Sequence, residues 1–137
     1  MERSTRRTRS RTVCAVVFIF AGLAHLVAPA LYRGMMPPWL PAHGLLIALS
    51  GAAEIMGGAG LLVPRVRRAA GLGLIALLVA VFPANVQMLI AHRASGGAFL
   101  MELLLWLRLP LQLVIVRWVW KVSMPDRPPT SPAPAIT

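Results

Sequence analysis

From Gly44 to Val63 the chain runs for 20 residues with a single charge, the carboxylate of Glu54, near the middle. A helix of that length spans about 30 Å, the thickness of a bilayer's hydrocarbon core. An ionisable group at mid-depth costs roughly 2.5 to 3.5 kcal/mol even on insertion scales, so Glu54 must face a bundle interior and find a partner there. Gly51, Gly57, Gly58 and Gly60 surround it without side chains, which lets neighbouring helices approach closely. The expectation is a helix at the centre of a membrane bundle, with Arg108 as the partner of Glu54.

Composition supports one membrane domain. At 58% hydrophobic and 13% charged over 137 residues, with a mean hydropathy of +0.73, the chain is too apolar for a soluble domain of this size. The formal charge of +10 raises the question of nucleic acid. The basic residues, however, cluster at the ends of apolar runs and do not alternate with aromatics, so membrane orientation accounts for them and nucleic acid is not expected as a partner. Cys14 is the single cysteine, which excludes an internal disulfide and a CxxC dithiol.

Residues 1–12 carry five arginines and are expected to form a disordered cytoplasmic arm drawn to anionic headgroups. Arg6 and Arg7 imitate a twin-arginine start, but TRSRTV lacks the apolar residues that should follow. Ala28 and Ala30 around Pro29 imitate a signal cleavage site, although the apolar run from Val13 exceeds a typical signal core. The first span is placed at 13–31, with Ala21, Gly22, His25 and Ala28 on one face. Pro37, Pro38 and Pro41 interrupt helix in the following YRGMMPPWLPA loop, where Tyr32 and Trp39 suit the headgroup level.

The second span, 43–63, ends at PRVRR. In the third, 69–91, Ala76, Ala80 and Ala84 form a small-residue seam, and Pro83 deprives the Val79 carbonyl of its donor beside Asn85. The fourth, 99–120, carries Glu102, Arg108, Pro110 and Gln112. Residues 121–137 are rich in proline and are expected to be disordered. Eleven Lys and Arg fall on one side of this scheme and two, Arg33 and Arg93, on the other. That asymmetry places both termini in the cytoplasm.

Helical rise then sets depth. Glu54 and Arg108 fall within about 2 Å of the span centres, with His25 and Asn85 roughly 6 to 8 Å toward the outer face. Gln112 shares a face with Arg108 and Met101. The expected polar layer is therefore His25, Glu54, Asn85, Arg108 and Gln112. It reads either as structural glue or as a site for a ligand or proton. Asn85 reads as the residue that repairs the break at Pro83, and His25 as an interhelical hydrogen-bonding group. Two donors at depth are too few for a metal site. Glu102 and Gln87 lie near span ends and are left out. His43, His92, Met35 and Met36 read as loop residues, and Trp106, Trp118 and Trp120 as packing or interfacial anchors.

As a set, GLAH in the first span, PPWLP in the loop, SGAAEIMGG in the second span, FPAN in the third and RLPLQ in the fourth resemble the DoxX-like family of small membrane proteins. The resemblance covers about residues 21–115. It implies an all-α bundle of four transmembrane helices in the bacterial inner (plasma) membrane. The family takes its name from a subunit of a quinone-linked thiosulfate oxidoreductase, but it implies no settled catalytic set.

Three functions fit these residues. The first is a non-catalytic or accessory bundle that binds, matures or stabilises another membrane component. The second is a quinone-linked oxidoreductase subunit, in which the polar layer holds a quinone or small sulfur anion and a redox partner supplies the missing centres. The third is a small transporter, which needs a homo-oligomer because four helices make a thin wall.

Overall fold

Apolar runs punctuated by prolines and arginines should give long helices with short connections. The computed structural model, which describes residues 2–34 and 36–124, has that form. The elements are α1 (Glu2–Val27), the short α2 (Pro29–Arg33), α3 (His43–Leu62), α4 (Arg67–Ala94) and α5 (Phe99–Ser123). The four long helices are each long and apolar enough to cross a membrane.

They pack in a ring. α1 lies on α3, α3 on α4, α4 on α5, and α5 closes back on α1, so α3 and α5 occupy diagonal corners. The core at one end joins Cys14, Ala15 and Phe18 of α1, Leu61 of α3, Leu74 of α4, and Val119 and Val122 of α5. No more than 22% of any helix's most apolar window is buried inside the molecule. The remaining apolar surface, including Phe20, Leu49, Met56, Val79 and Leu113, faces outward around the perimeter. Apolar exposure on that scale marks a surface made for contact with membrane or protein.

Glycine sets the closeness of α1 and α3. A Cβ added at Gly51 would sit 2.7 Å from the Gly22 carbonyl oxygen and 2.8 Å from His25 Cβ, and one at Gly58 would sit 2.8 Å from the Ala15 carbonyl oxygen. Such contacts are admitted only when the side chain is missing, which is how small residues tighten helix pairs in a lipid-like medium. The seam expected along Ala76, Ala80 and Ala84 is not used inside the ring. Ala76 and Ala80 are exposed, and α4 instead buries Gly71, Leu74, Asn85 and Leu89. Those four positions share one face at helical spacing, and the alanines lie off that face.

Two segments expected to be disordered are ordered. Residues 2–12 continue α1 as helix, and α5 runs on to Ser123, with Val122 and Ser123 buried. Each supplies what the other lacks. Arg7 Nη2 donates to the carbonyls of Lys121 (2.9 Å) and Met124, and Arg11 Nε donates to that of Val122 (3.1 Å). The last carbonyls of a helix have no intrahelical partner and carry partial negative charge, so guanidinium groups are well suited to cap them. Arg67 Nε serves α3 in the same way through the Leu61 carbonyl, at 3.0 Å. The remainder of the expected tail, 125–137, and Met35 lie outside the described residues.

Candidate functional site

The interior polar side chains come together as two pairs. The first pair spans α1 and α3. The two helices run antiparallel, with Gly22 beside Gly51 and Ala15 beside Gly58, and His25 Cβ lies over Gly51 while Glu54 Cβ lies over Gly22, so the two side chains occupy the space that the glycines leave. His25 Nδ1 lies 3.2 Å from Glu54 Oε2, with the side chains 17% and 13% exposed.

Glu54 therefore finds a partner, but from α1 rather than α5, and the expected Glu54 and Arg108 ion pair gives way to this one. The reason is topological: α3 and α5 are diagonal in the ring, whereas α1 lies directly against α3. Arg108, half-buried on α5, remains within electrostatic range of His25.

The His25 and Glu54 contact is close but poorly aligned. Among the described residues neither Nδ1 nor Oε2 meets hydrogen-bond geometry with any group, and both atoms are buried. The distance puts imidazole and carboxyl in contact, while the angle leaves each atom with unused hydrogen-bonding capacity. Such an imidazole and carboxylate can hold a proton between them or accept a third polar group. Tyr32 of α2 closes the outer side: its ring meets the His25 imidazole edge-on at 4.0 Å between centroids and 65° between planes. The sequence suggests only a headgroup-level anchor for Tyr32. The nearby Pro29, which starts α2 immediately after the end of α1, is the signal that the chain folds back here.

The second pair spans α4 and α5. Asn85 Nδ2 donates to Gln112 Oε1 at 2.7 Å, and Gln112 Nε2 donates to the Leu78 carbonyl. Asn85 and Gln112 are 8% and 6% exposed. Gln112 thus reaches the carbonyl next to the one that Pro83 leaves without a donor, that of Val79, with Asn85 holding the amide in place. Asn85 itself does not make the repair.

Three further polar groups take local roles. His43 Nε2 contacts the Pro37 carbonyl at 3.0 Å and fastens the proline loop to the start of α3. His92 Nε2 contacts the Ala98 carbonyl at 3.2 Å across the α4 to α5 turn. Glu102 pairs with the exposed Arg93 at 3.2 Å, a solvent-accessible ion pair of little energetic weight. Trp118, expected as an anchor, donates from Nε1 to Ser10 Oγ at 2.8 Å and so ties α5 to α1.

No curated protein and no solved structure matches the chain. A family model described as a domain of unknown function (DUF8561) matches residues 14–123. The match takes in His25, Glu54, Asn85, Arg108 and Gln112 and begins and ends on residues of the buried interior, Cys14 and Ser123. With most of its length accounted for in this way, the chain belongs to the DUF8561 family.

Proposed function

We propose that the chain is a multi-pass protein of the bacterial inner membrane, DoxX-like in architecture, which acts as an accessory bundle supporting another membrane component. The observation that carries this reading is the use made of the interior polar groups. His25 with Glu54 closes α1 on α3, and Gln112 with Asn85 and the Leu78 carbonyl closes α4 on α5. Interior polar groups that bridge helix to helix in this way serve as architecture first.

Orientation follows from charge. Arg6, Arg7, Arg9, Arg11, Arg65, Arg67, Arg68, Arg117 and Lys121 belong to one end of the bundle and Arg33 and Arg93 to the other, which puts both termini on the cytoplasmic side.

The test is a swap, His25→Glu with Glu54→His, in a strain lacking the native gene. Each single variant lowers the amount of folded protein in the membrane, and the swap restores it together with whatever phenotype the deletion causes. A swap that restores folded protein but leaves the phenotype lost overturns the architectural reading.

That outcome would favour a second reading, a binding site for a quinone headgroup in a quinone-linked oxidoreductase. It is supported by the unused hydrogen-bonding capacity of His25 Nδ1 and Glu54 Oε2. A quinone carbonyl could accept from the imidazole while a hydroquinone hydroxyl donates to the carboxylate. Quinone retained by native protein and lost from Glu54→Gln at equal folded yield supports it, and equal retention in both overturns it.

A further inference from the structure

The N-terminal part of α1 and the C-terminal part of α5 form the sides of a cleft of about 420 Å³, lined by Arg6, Arg7, Ser10, Trp118, Lys121 and Val122. Helical spacing explains the lining. Arg6, Arg7 and Ser10 recur at three and four residues on α1, as do Trp118, Lys121 and Val122 on α5, so each helix turns one face to the cleft. Three of the six lining residues are cations and none is acidic.

Of these, Arg6 and Lys121 are exposed, and Arg7 is half-buried with its guanidinium on the carbonyls of Lys121 and Met124. The C-terminal carbonyls of α5 would by themselves repel an anion. Arg7 and Arg11 cover them, through the Lys121, Val122 and Met124 oxygens. The floor is apolar: Val122 is 2% exposed and the Trp118 indole is held by Ser10.

We infer that this cleft seats the phosphodiester headgroup of an anionic phospholipid, with Arg6 and Lys121 on the phosphate and the Trp118 ring and Val122 beneath the glycerol. The inference rests on the membrane reading given above, because only then does the cleft lie at headgroup level. α1 is 26 residues long, about 39 Å of helix, against a hydrocarbon core of about 30 Å, so its first two turns extend beyond the acyl chains. A lipid phosphate is favoured over a free anion because the exposed Val13 and Val17, on the same stripe of α1 as Arg6 and Ser10, lead from the cleft onto the apolar perimeter, where acyl chains would lie.

The experiment measures lipid retained by the purified full chain, by native mass spectrometry, after exchange into phosphatidylglycerol or phosphatidylcholine nanodiscs. Each cation near a lipid phosphate is worth roughly a fivefold change in retention. Native protein keeps phosphatidylglycerol in preference to phosphatidylcholine. Arg6→Gln with Lys121→Gln reduces that preference roughly tenfold or more, and Arg33→Gln with Arg93→Gln, at the opposite end, leaves it intact. Because Arg7 remains in place, the helix cap is preserved, and an unchanged thermal midpoint verifies this.

Equal retention of the two lipids, or an undiminished preference in Arg6→Gln with Lys121→Gln, overturns the inference. Displacement of the lipid by millimolar inorganic phosphate shows a free-anion site and also overturns it. Carbonate extraction separates the two levels. Protein released into the soluble fraction overturns both the membrane reading and this inference, whereas protein that stays with the membrane without lipid preference overturns this inference alone.

Discussion

Glu54 shows how far a single residue can be read before coordinates exist. Its placement among apolar residues requires an interior partner, and His25 at 3.2 Å is that partner. Depth along a helix follows from counting residues, but which helix stands next to which does not, and for that reason Arg108 is the natural choice from the sequence and the wrong one. That these polar residues are interior was legible from their place within apolar runs, and the contacts of His25 with Glu54 and of Asn85 with Gln112 follow from it. Their division into two pairs was not, since that division depends on the ring order of the helices.

The His25 and Glu54 pair makes an energetic prediction. Removing one member leaves the other a buried polar group without its neighbour, whereas removing both costs little. His25→Leu is expected to destabilise the protein by about 3 kcal/mol, and His25→Leu with Glu54→Met to fall within about 1 kcal/mol of the native protein, as measured by reversible unfolding in mixed micelles.

At the scale of elements, two helix pairs are held by different means. α1 and α3 depend on the absence of side chains. Gly51→Leu would drive a branched side chain into the Gly22 carbonyl and His25 Cβ, both within 3 Å of an added Cβ. It should separate the helices and abolish a disulfide engineered across them, whereas the same substitution at Gly73, where an added Cβ meets nothing within 4 Å, should leave the disulfide intact. α4 and α5 depend on an amide relay. A double-mutant cycle on Asn85→Ala and Gln112→Ala should give a coupling of about 0.6 to 1.7 kcal/mol, the range for hydrogen bonds between membrane helices.

Helix limits were legible to within a few residues wherever a proline or an arginine cluster marks them. The helical state of residues 2–12 was not, because arginine and threonine there have no apolar periodicity. Their order comes from partners on α5, more than 100 residues away.

For the whole molecule, those long-range caps are the feature that closes the ring. Arg7→Gln with Arg11→Gln removes the donors to three carbonyls at the end of α5. Amide hydrogen exchange should accelerate at residues 119–124 and in the first three turns of α1, while the α3 and α4 amides keep their protection. Uniform acceleration along the chain would instead show that the caps hold the entire fold.

The caps also fix an order of events. The carbonyls that Arg7 and Arg11 grip belong to residues 114 and 111 positions later in the chain. During synthesis on the ribosome, those guanidinium groups therefore wait through the making of every other helix before their partners exist. The start of α1 is locked only once the end of α5 has been made, and a transcript cut short before α5 leaves it permanently unlatched.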